Sequence, residues 1–387
     1  MSSYAGTRRG VAVIESVRAS VLPFCVSRAI VLAALGIARF LVDQLGPSLR
    51  SATGAKAIGT SHSGLLSWDA AWYLRIAEVG YGGAGKQALR FFPLFPLLGR
   101  LVGSLPGISY GTALVVLANV FGFGALVLLH ALVSRESLGH ETAERSIWIL
   151  SLWPAAFVLV MGYAESLLLC LTIAAFLCWR TGRWWWSIVP AYFAGLCRPV
   201  GVLLALPALV EAVSWWRSSG HRSLGSASSR LLAIAAAPAG MVTYLAWSAA
   251  THGSFFEPLS EQTSRLHRGG ISDPIATLLH DTSDLVHGHH LGTALHAPFA
   301  ALFVILTIYL FFRLPAAYGL YAAATMAVAL TAPNLDSLER YGLACFPLAI
   351  AAGCLTERPM VQRVVLSGMG ALLTAYALLA FLGLYVP

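Results

Sequence analysis

The stretch "YGTALVVLANVFGFGALVLLHALV", Tyr110 to Val133, carries no acidic side chain, lysine or arginine. At 1.5 Å per helical residue it has about the length needed to cross the hydrocarbon core of a bilayer, ~20 residues. Such runs recur along the chain, at approximately 20–42, 110–133, 147–163, 165–180, 184–198, 200–216, 231–250, 297–312, 314–332, 342–356 and 364–385. They are continuously apolar, whereas the strands of a membrane β-barrel would alternate in polarity. The expected fold is therefore all-α: a polytopic transmembrane helical bundle of about eleven spans, with residues 1–387 forming one membrane domain.

Composition agrees. The 387 residues are 58% hydrophobic and only 11% charged, and mean hydropathy is +0.74. The net charge of +8 does not indicate nucleic acid, because the basic residues, all but two of them arginine, punctuate the apolar runs instead of forming a block. The six cysteines, Cys25, Cys170, Cys178, Cys197, Cys345 and Cys354, all fall in apolar segments without metal-ligand spacing, as buried small side chains would. The first apolar run, preceded by Arg8, Arg9 and Arg18, lacks a small-residue cleavage pattern and reads as an anchor.

Arginine placement orients the bundle. Arg135 and Arg145, Arg180 and Arg183, Arg217 to Arg230, Arg313, and Arg358 with Arg363 fall on alternate short loops, which are cytoplasmic by the positive-inside rule. The two longest connections, 43–109 and 251–296, then lie on the extracytoplasmic face. Long loops are uncommon unless they work. No internal repeat is visible, which weakens the signature of a secondary transporter.

The first long loop contains "WDAAWYLRIAEVGY", Trp68 to Tyr81, followed by "FFPLFP" at Phe91 to Pro96. Ser67 can cap a helix over 68–79 and Gly80 can end it. At 100° per residue Trp68, Trp72, Ile76 and Val79 share one face, with Asp69 and Tyr73 together at its edge. Such a helix would lie in the membrane interface, its indoles at headgroup depth and Asp69 beside the lipid. The first helical turn favours the ionised carboxylate. Asp69 is thus either a base acting on a sugar or an ordinary acidic helix start, and Trp68, Trp72 and Tyr73 are the candidate walls of its site.

"WDAAWYLRIAEVGY", "FFPLFPLL", "GYAESLLL" and "LCRPVG", in this order, resemble the PIG-V family: GPI-anchor mannosyltransferases of the second mannosylation step and their bacterial relatives, of the lipid-phosphate-sugar-dependent GT-C class. The similarity runs from about Trp68 to Gly201; beyond it, "LERYGLACFPL" is a weaker pattern shared by many enzymes of the class. The resemblance implies an integral-membrane glycosyltransferase that moves mannose from a polyprenyl-phosphate donor to a glycolipid, glycan or protein acceptor outside the cytoplasm. It also implies inversion and a catalytic aspartate at Asp69. The compact loops and Ala/Arg-rich composition point to a bacterial plasma membrane with the site facing outside, the alternative in a eukaryote being the lumenal face of the ER membrane.

The chemistry suits these residues. A phosphate leaves without protonation, so the acid–base pair of a glycosidase is unnecessary. One base for the acceptor hydroxyl suffices, with cations to hold the phosphate. Arg340, with Tyr341, is the favoured phosphate contact, unless it pairs with Glu339 or Asp336. Arg198 interrupts an apolar stretch and should face a cavity or a partner. Glu165 is that partner, or else a ligand for an acceptor hydroxyl or a metal. The loop 251–296 holds seven histidines; His252 and His267 are candidates for the lipid phosphate. A divalent cation (Mg or Mn) is left open as a cofactor. The rival reading is a transporter or flippase of a lipid-linked or anionic substrate.

Overall fold

A computed structural model describes residues 2–53, 56–218, 223–264, 269–289, 296–333, 335 and 337–385. Among these the secondary structure is helical throughout, with no strand. The chain opens with α1 (Ser2–Thr53) and α2 (Lys56–Ser63), and the first long loop folds into α3 (Asp69–Ala84) and α4 (Leu94–Gly103). Next come α5 (Tyr110–Val133), α6 (His140–Ser151), α7 (Glu165–Arg180), α8 (Trp184–Cys197), α9 (Ala205–Ser218) and α10 (Leu224–His252). The second long loop carries α11 (Glu257–Gln262) and α12 (Pro274–His287). The chain finishes with α13 (Ala297–Arg313), α14 (Ala316–Leu330), α15 (Leu338–Ala344), α16 (Phe346–Leu355) and α17 (Pro359–Phe381).

Five helical stretches in the described residues are long and apolar enough to cross a membrane: 13–46, 110–133, 199–218, 224–252 and 359–381. The pair α15 and α16, bent by 84°, makes a sixth if it counts as one span. This is fewer than the eleven expected. The runs at 165–180 and 184–198 do form α7 and α8, but at 16 and 14 residues they fall short of a full crossing. The run at 147–163 is not one helix, because α6 stops at Ser151 ahead of Pro154 and a 3-10 turn, Ala156–Leu159, follows. Large apolar side chains face outward, Leu22 and Phe40 of α1 being 60% and 62% exposed. That surface suits lipid as its solvent, and the protein is an integral membrane protein.

The core is a pillar. Every residue from Ile149 to Leu169 is buried, and α1, α5, α7 and α17 pack around or beside it. Arg28, inside apolar α1, is satisfied by the pillar and by α5. Its Nε donates to Asn119 Oδ1 at 3.0 Å and its Nη2 to the Leu159 carbonyl at 3.1 Å. Across the bundle α8 and α10 approach closely. A Cβ placed on Gly195 would strike the Ala237 carbonyl, and one on Gly240 the Tyr192 carbonyl. Glycine permits that approach because it has no side chain.

Candidate functional site

The first long loop is drawn into the helical body by its aromatic residues. On α3 the buried stripe is Ala70, Tyr73, Ile76, Ala77, Tyr81 and Ala84. The expected face of Trp68, Trp72, Ile76 and Val79 is therefore corrected, since Val79 is exposed. Burial follows the Tyr73 side because Phe91 and Phe95 meet its ring edge-on at 5.1 and 5.3 Å. Ser67 does not cap the helix either; its hydroxyl donates back to the Gly64 carbonyl at 2.8 Å. Gly80 leaves helical geometry at φ 70°, bending the element, which continues to Ala84.

Trp68 immediately precedes α3 with φ 60° and ψ −129°, a sparsely populated backbone conformation costing about 1–3 kcal/mol. Two bonds hold this corner. The Trp68 indole N–H donates to the Ala380 carbonyl of α17 at 2.9 Å, and the Asp69 backbone N–H donates to the Tyr163 hydroxyl at 3.1 Å. Ser337, ahead of α15, is the other non-glycine residue with positive φ among those described. Both strained corners thus lead into helices that carry a charged residue of the site.

Those residues are Asp69 and Arg340. Arg340 Nη1 donates to Asp69 Oδ2 at 2.7 Å, and Arg340 Nε lies 3.3 Å from Glu165 Oε1. Arg198 Nη1 donates to the same Glu165 oxygen. Asp69, Arg340, Glu165 and Arg198 therefore form a chain of alternating charges joining α3, α15, the start of α7 and the end of α8. Glu165 is buried to 1%, whereas the Asp69 side chain remains 26% exposed. Burial alone would push the Asp69 carboxyl up. The charge and hydrogen bond of Arg340, helped by Arg90 and Arg198, outweigh it and hold the group below the ordinary carboxylate range.

These groups border a cavity of about 690 Å³, a size usual for small-molecule sites. Its wall includes Asp69, Arg90, Arg198 and Arg340, with Trp68, Trp72, Tyr73 and Tyr341 among the aromatic residues. Among the described residues Asp69 is its single lining carboxylate. Asp69 Oδ2 is occupied by Arg340, while no hydrogen bond engages Oδ1 among the described residues. The site can accept a proton at that oxygen, hold an anion on guanidinium groups and stack a ring on indoles.

Other expectations separate. His252 ends α10 away from the cavity wall, its ring beside Trp247 at 5.2 Å and its Nδ1 2.8 Å from the Thr251 hydroxyl. His267 and Asp336 lie outside the described residues. Glu339 does not pair with Arg340. Its Oε2 lies 2.6 Å from His296 Nδ1 and accepts the Tyr385 hydroxyl at 2.9 Å, while its backbone carbonyl accepts the Trp153 indole at 2.9 Å. No group of three or more His, Cys, Asp or Glu side chains converges on a metal position among the described residues. Three participants went unnoticed in the sequence: Arg90, Tyr163 and His296. Arg90 and Tyr163 lie within or beside quoted motifs, but nothing in one chain told them from surface or core residues.

Helical elements of bilayer-crossing length define an integral membrane protein, and its polar cavity is lined, among the described residues, by one carboxylate and three guanidinium groups. Residues 43–211 match the family model described as mannosyltransferase (PIG-V), which bears out the resemblance carried by the motifs from Trp68 to Gly201. The chain is also 33% identical over 153 residues to the human protein GPI alpha-1,6-mannosyltransferase 2. That similarity spans 36% of this chain and 30% of the human protein's length. No solved structure matches the chain.

Proposed function

We propose that this protein is an inverting membrane glycosyltransferase. It transfers mannose from a polyprenyl-phosphate-mannose donor to a hydroxyl of a glycolipid, glycan or protein acceptor at the extracytoplasmic face. Asp69 is the general base. The acceptor oxygen bonds to the anomeric carbon as the carbon–oxygen bond to phosphate breaks, its electron pair leaving on the polyprenyl phosphate, and the hydroxyl proton passes to Asp69 Oδ1. A carboxylate held below the usual range is a weak base, yet it serves here, because the hydroxyl becomes strongly acidic once its oxygen engages the electron-poor sugar carbon.

The single observation that carries the reading is one lining carboxylate among the described residues, ionised against Arg340 and with no hydrogen bond to its other oxygen among them. A glycosidase needs two carboxyl groups; a phosphate leaving group needs one base and cations. Charge supports the donor class. Among the described residues three lining guanidinium groups (Arg90, Arg198, Arg340) stand against Asp69 at the wall and Glu165 behind it, an excess of cations that suits a phosphate. The relative's name, GPI alpha-1,6-mannosyltransferase 2, supports mannose, an α-linked product and a glycolipid acceptor. From a β-linked donor such a product requires inversion.

The test is transfer of radiolabelled mannose by purified protein in lipid. Wild type should use polyprenyl-phosphate mannose and not nucleotide sugar, and Asp69→Asn should lose about 10²–10⁴-fold in turnover while staying folded. Full turnover by a folded Asp69→Asn protein would remove the base assignment.

A further inference from the structure

We propose that Arg90, and not Arg340, is the side chain that takes the donor's phosphate. The inference rests on the reading of the cavity as a lipid-phosphate-sugar site and names a group within it. Arg340 and Arg198 are already committed, since Asp69 and Glu165 neutralise both. Arg90 lines the same cavity with no carboxylate in ion-pair reach and no hydrogen bond from its guanidinium among the described residues, its Nε buried and without a partner. It supplies the surplus charge.

The surrounding chain holds this arginine in place without satisfying it. Arg90 closes a 3-10 turn, Lys86–Arg90. The carbonyls on either side of it are tied by buried tyrosines: Tyr244 of α10 donates to Leu89 O at 2.8 Å, and Tyr81 of α3 donates to Phe91 O at 2.6 Å. The guanidinium carbon sits 4.6 Å from the Phe91 ring centre and 5.7 Å from that of Trp72. These two rings stack at 5.8 Å with an interplanar angle of 18°. Aromatic contact steadies an arginine without consuming its N–H donors. The result is a fixed backbone and a supported guanidinium at the wall of a polar cavity, with no acceptor for its N–H donors among the described residues, an arrangement suited to forking onto the oxygens of a phosphodiester. The pairing of Asp69 with Arg340 stays intact while the phosphate is held.

The experiment uses the full chain in detergent with two probes, a short prenyl-phosphate mannose as donor and farnesyl phosphate as a non-reacting ligand. Arg90→Gln should raise the farnesyl phosphate Kd by about 10- to 100-fold, the span expected for losing a charged hydrogen-bond partner, and lower kcat/KM for the donor by at least as much, because the same cation faces the departing phosphate. Arg90→Lys, which keeps the charge and loses the fork, should fall between. Phosphatidylglycerol at equal concentration should not displace farnesyl phosphate. Unchanged Kd in folded Arg90→Gln overturns the assignment, as does unchanged Kd in Arg90→Lys where Arg90→Gln fails to fold. Equal displacement by phosphatidylglycerol makes this a general lipid-headgroup site and overturns the donor role. Absence of transfer by wild type would remove the glycosyltransferase reading alone, because farnesyl phosphate binding still decides the part played by Arg90.

Discussion

Asp69 and Arg340 lie 271 residues apart in the chain and meet at 2.7 Å. Each follows closely on a corner with positive φ, Trp68 for one and Ser337 for the other. The pair closes the two ends of the molecule around the cavity, because α3 belongs to the first long loop and α15 to the C-terminal third. Arg340 also lies 3.3 Å from Glu165 at the start of α7, so one guanidinium joins three elements. Strain at both corners is the cost of bringing two helix starts face to face.

Removing one partner should therefore cost more than removing both. Arg340→Gln leaves Asp69 and Glu165 partly uncompensated and should destabilise by roughly 3 kcal/mol. Adding Asp69→Asn should recover part of that loss without restoring turnover. Thermal unfolding of the single and double variants in detergent measures the coupling, and simple additivity would show that the pair contributes nothing as a unit.

The pH dependence has a definite sign. Arg340 and its neighbours hold the Asp69 carboxyl below its ordinary value, so the pair's contribution is complete above about pH 4, the unfolded value. It is lost as pH falls through the lower folded value. In Arg340→Gln the largest opposing influence is gone and Arg90 and Arg198 remain against burial, so stability should fall relative to wild type as pH rises from about 4 to 7 and Asp69 ionises. Parallel unfolding profiles of the two proteins across that range would contradict this account.

Glu339 should prove structural in a way its neighbour is not. It is fully buried, with His296 Nδ1 at 2.6 Å and Tyr385 donating at 2.9 Å to one oxygen. These contacts hold the helix that presents Arg340. Glu339→Gln should lower stability by about 1–3 kcal/mol and reduce turnover, with donor KM changing less than in Arg90→Gln. A large change in KM at unaltered stability would instead place Glu339 against the substrate.

Packing of α8 on α10 should tolerate no side chain at Gly240. A Cβ there would strike the Tyr192 carbonyl, and backbone cannot yield as a flexible side chain can. Gly240→Val should cut the yield of folded protein sharply. Yield and unfolding temperature in detergent equal to wild type would show that the helices can separate freely.

Much was legible because membrane chemistry writes itself locally. A lipid solvent demands long apolar helices, so the all-α class, the ends of α5 and α7, and the two long loops could be read directly. A carboxylate flanked by tryptophans in so apolar a chain drew attention to Asp69, and the motifs carried the family resemblance. Partners were not legible in this way. Arg340 could have met Glu339, Asp336 or a phosphate on sequence spacing alone; the bend between α15 and α16 and the left-handed Ser337 turn it toward Asp69. Arg90 looked like any loop arginine until Tyr81 of neighbouring α3 and Tyr244 of distant α10 fixed its backbone beside the cavity. The sequence by itself determined which solvent surrounds this protein and which residue types it could bring to a site. Only the tertiary structure decided which charges cancel and which one is left over, because a Coulombic interaction depends on distance in space and not on separation along the chain.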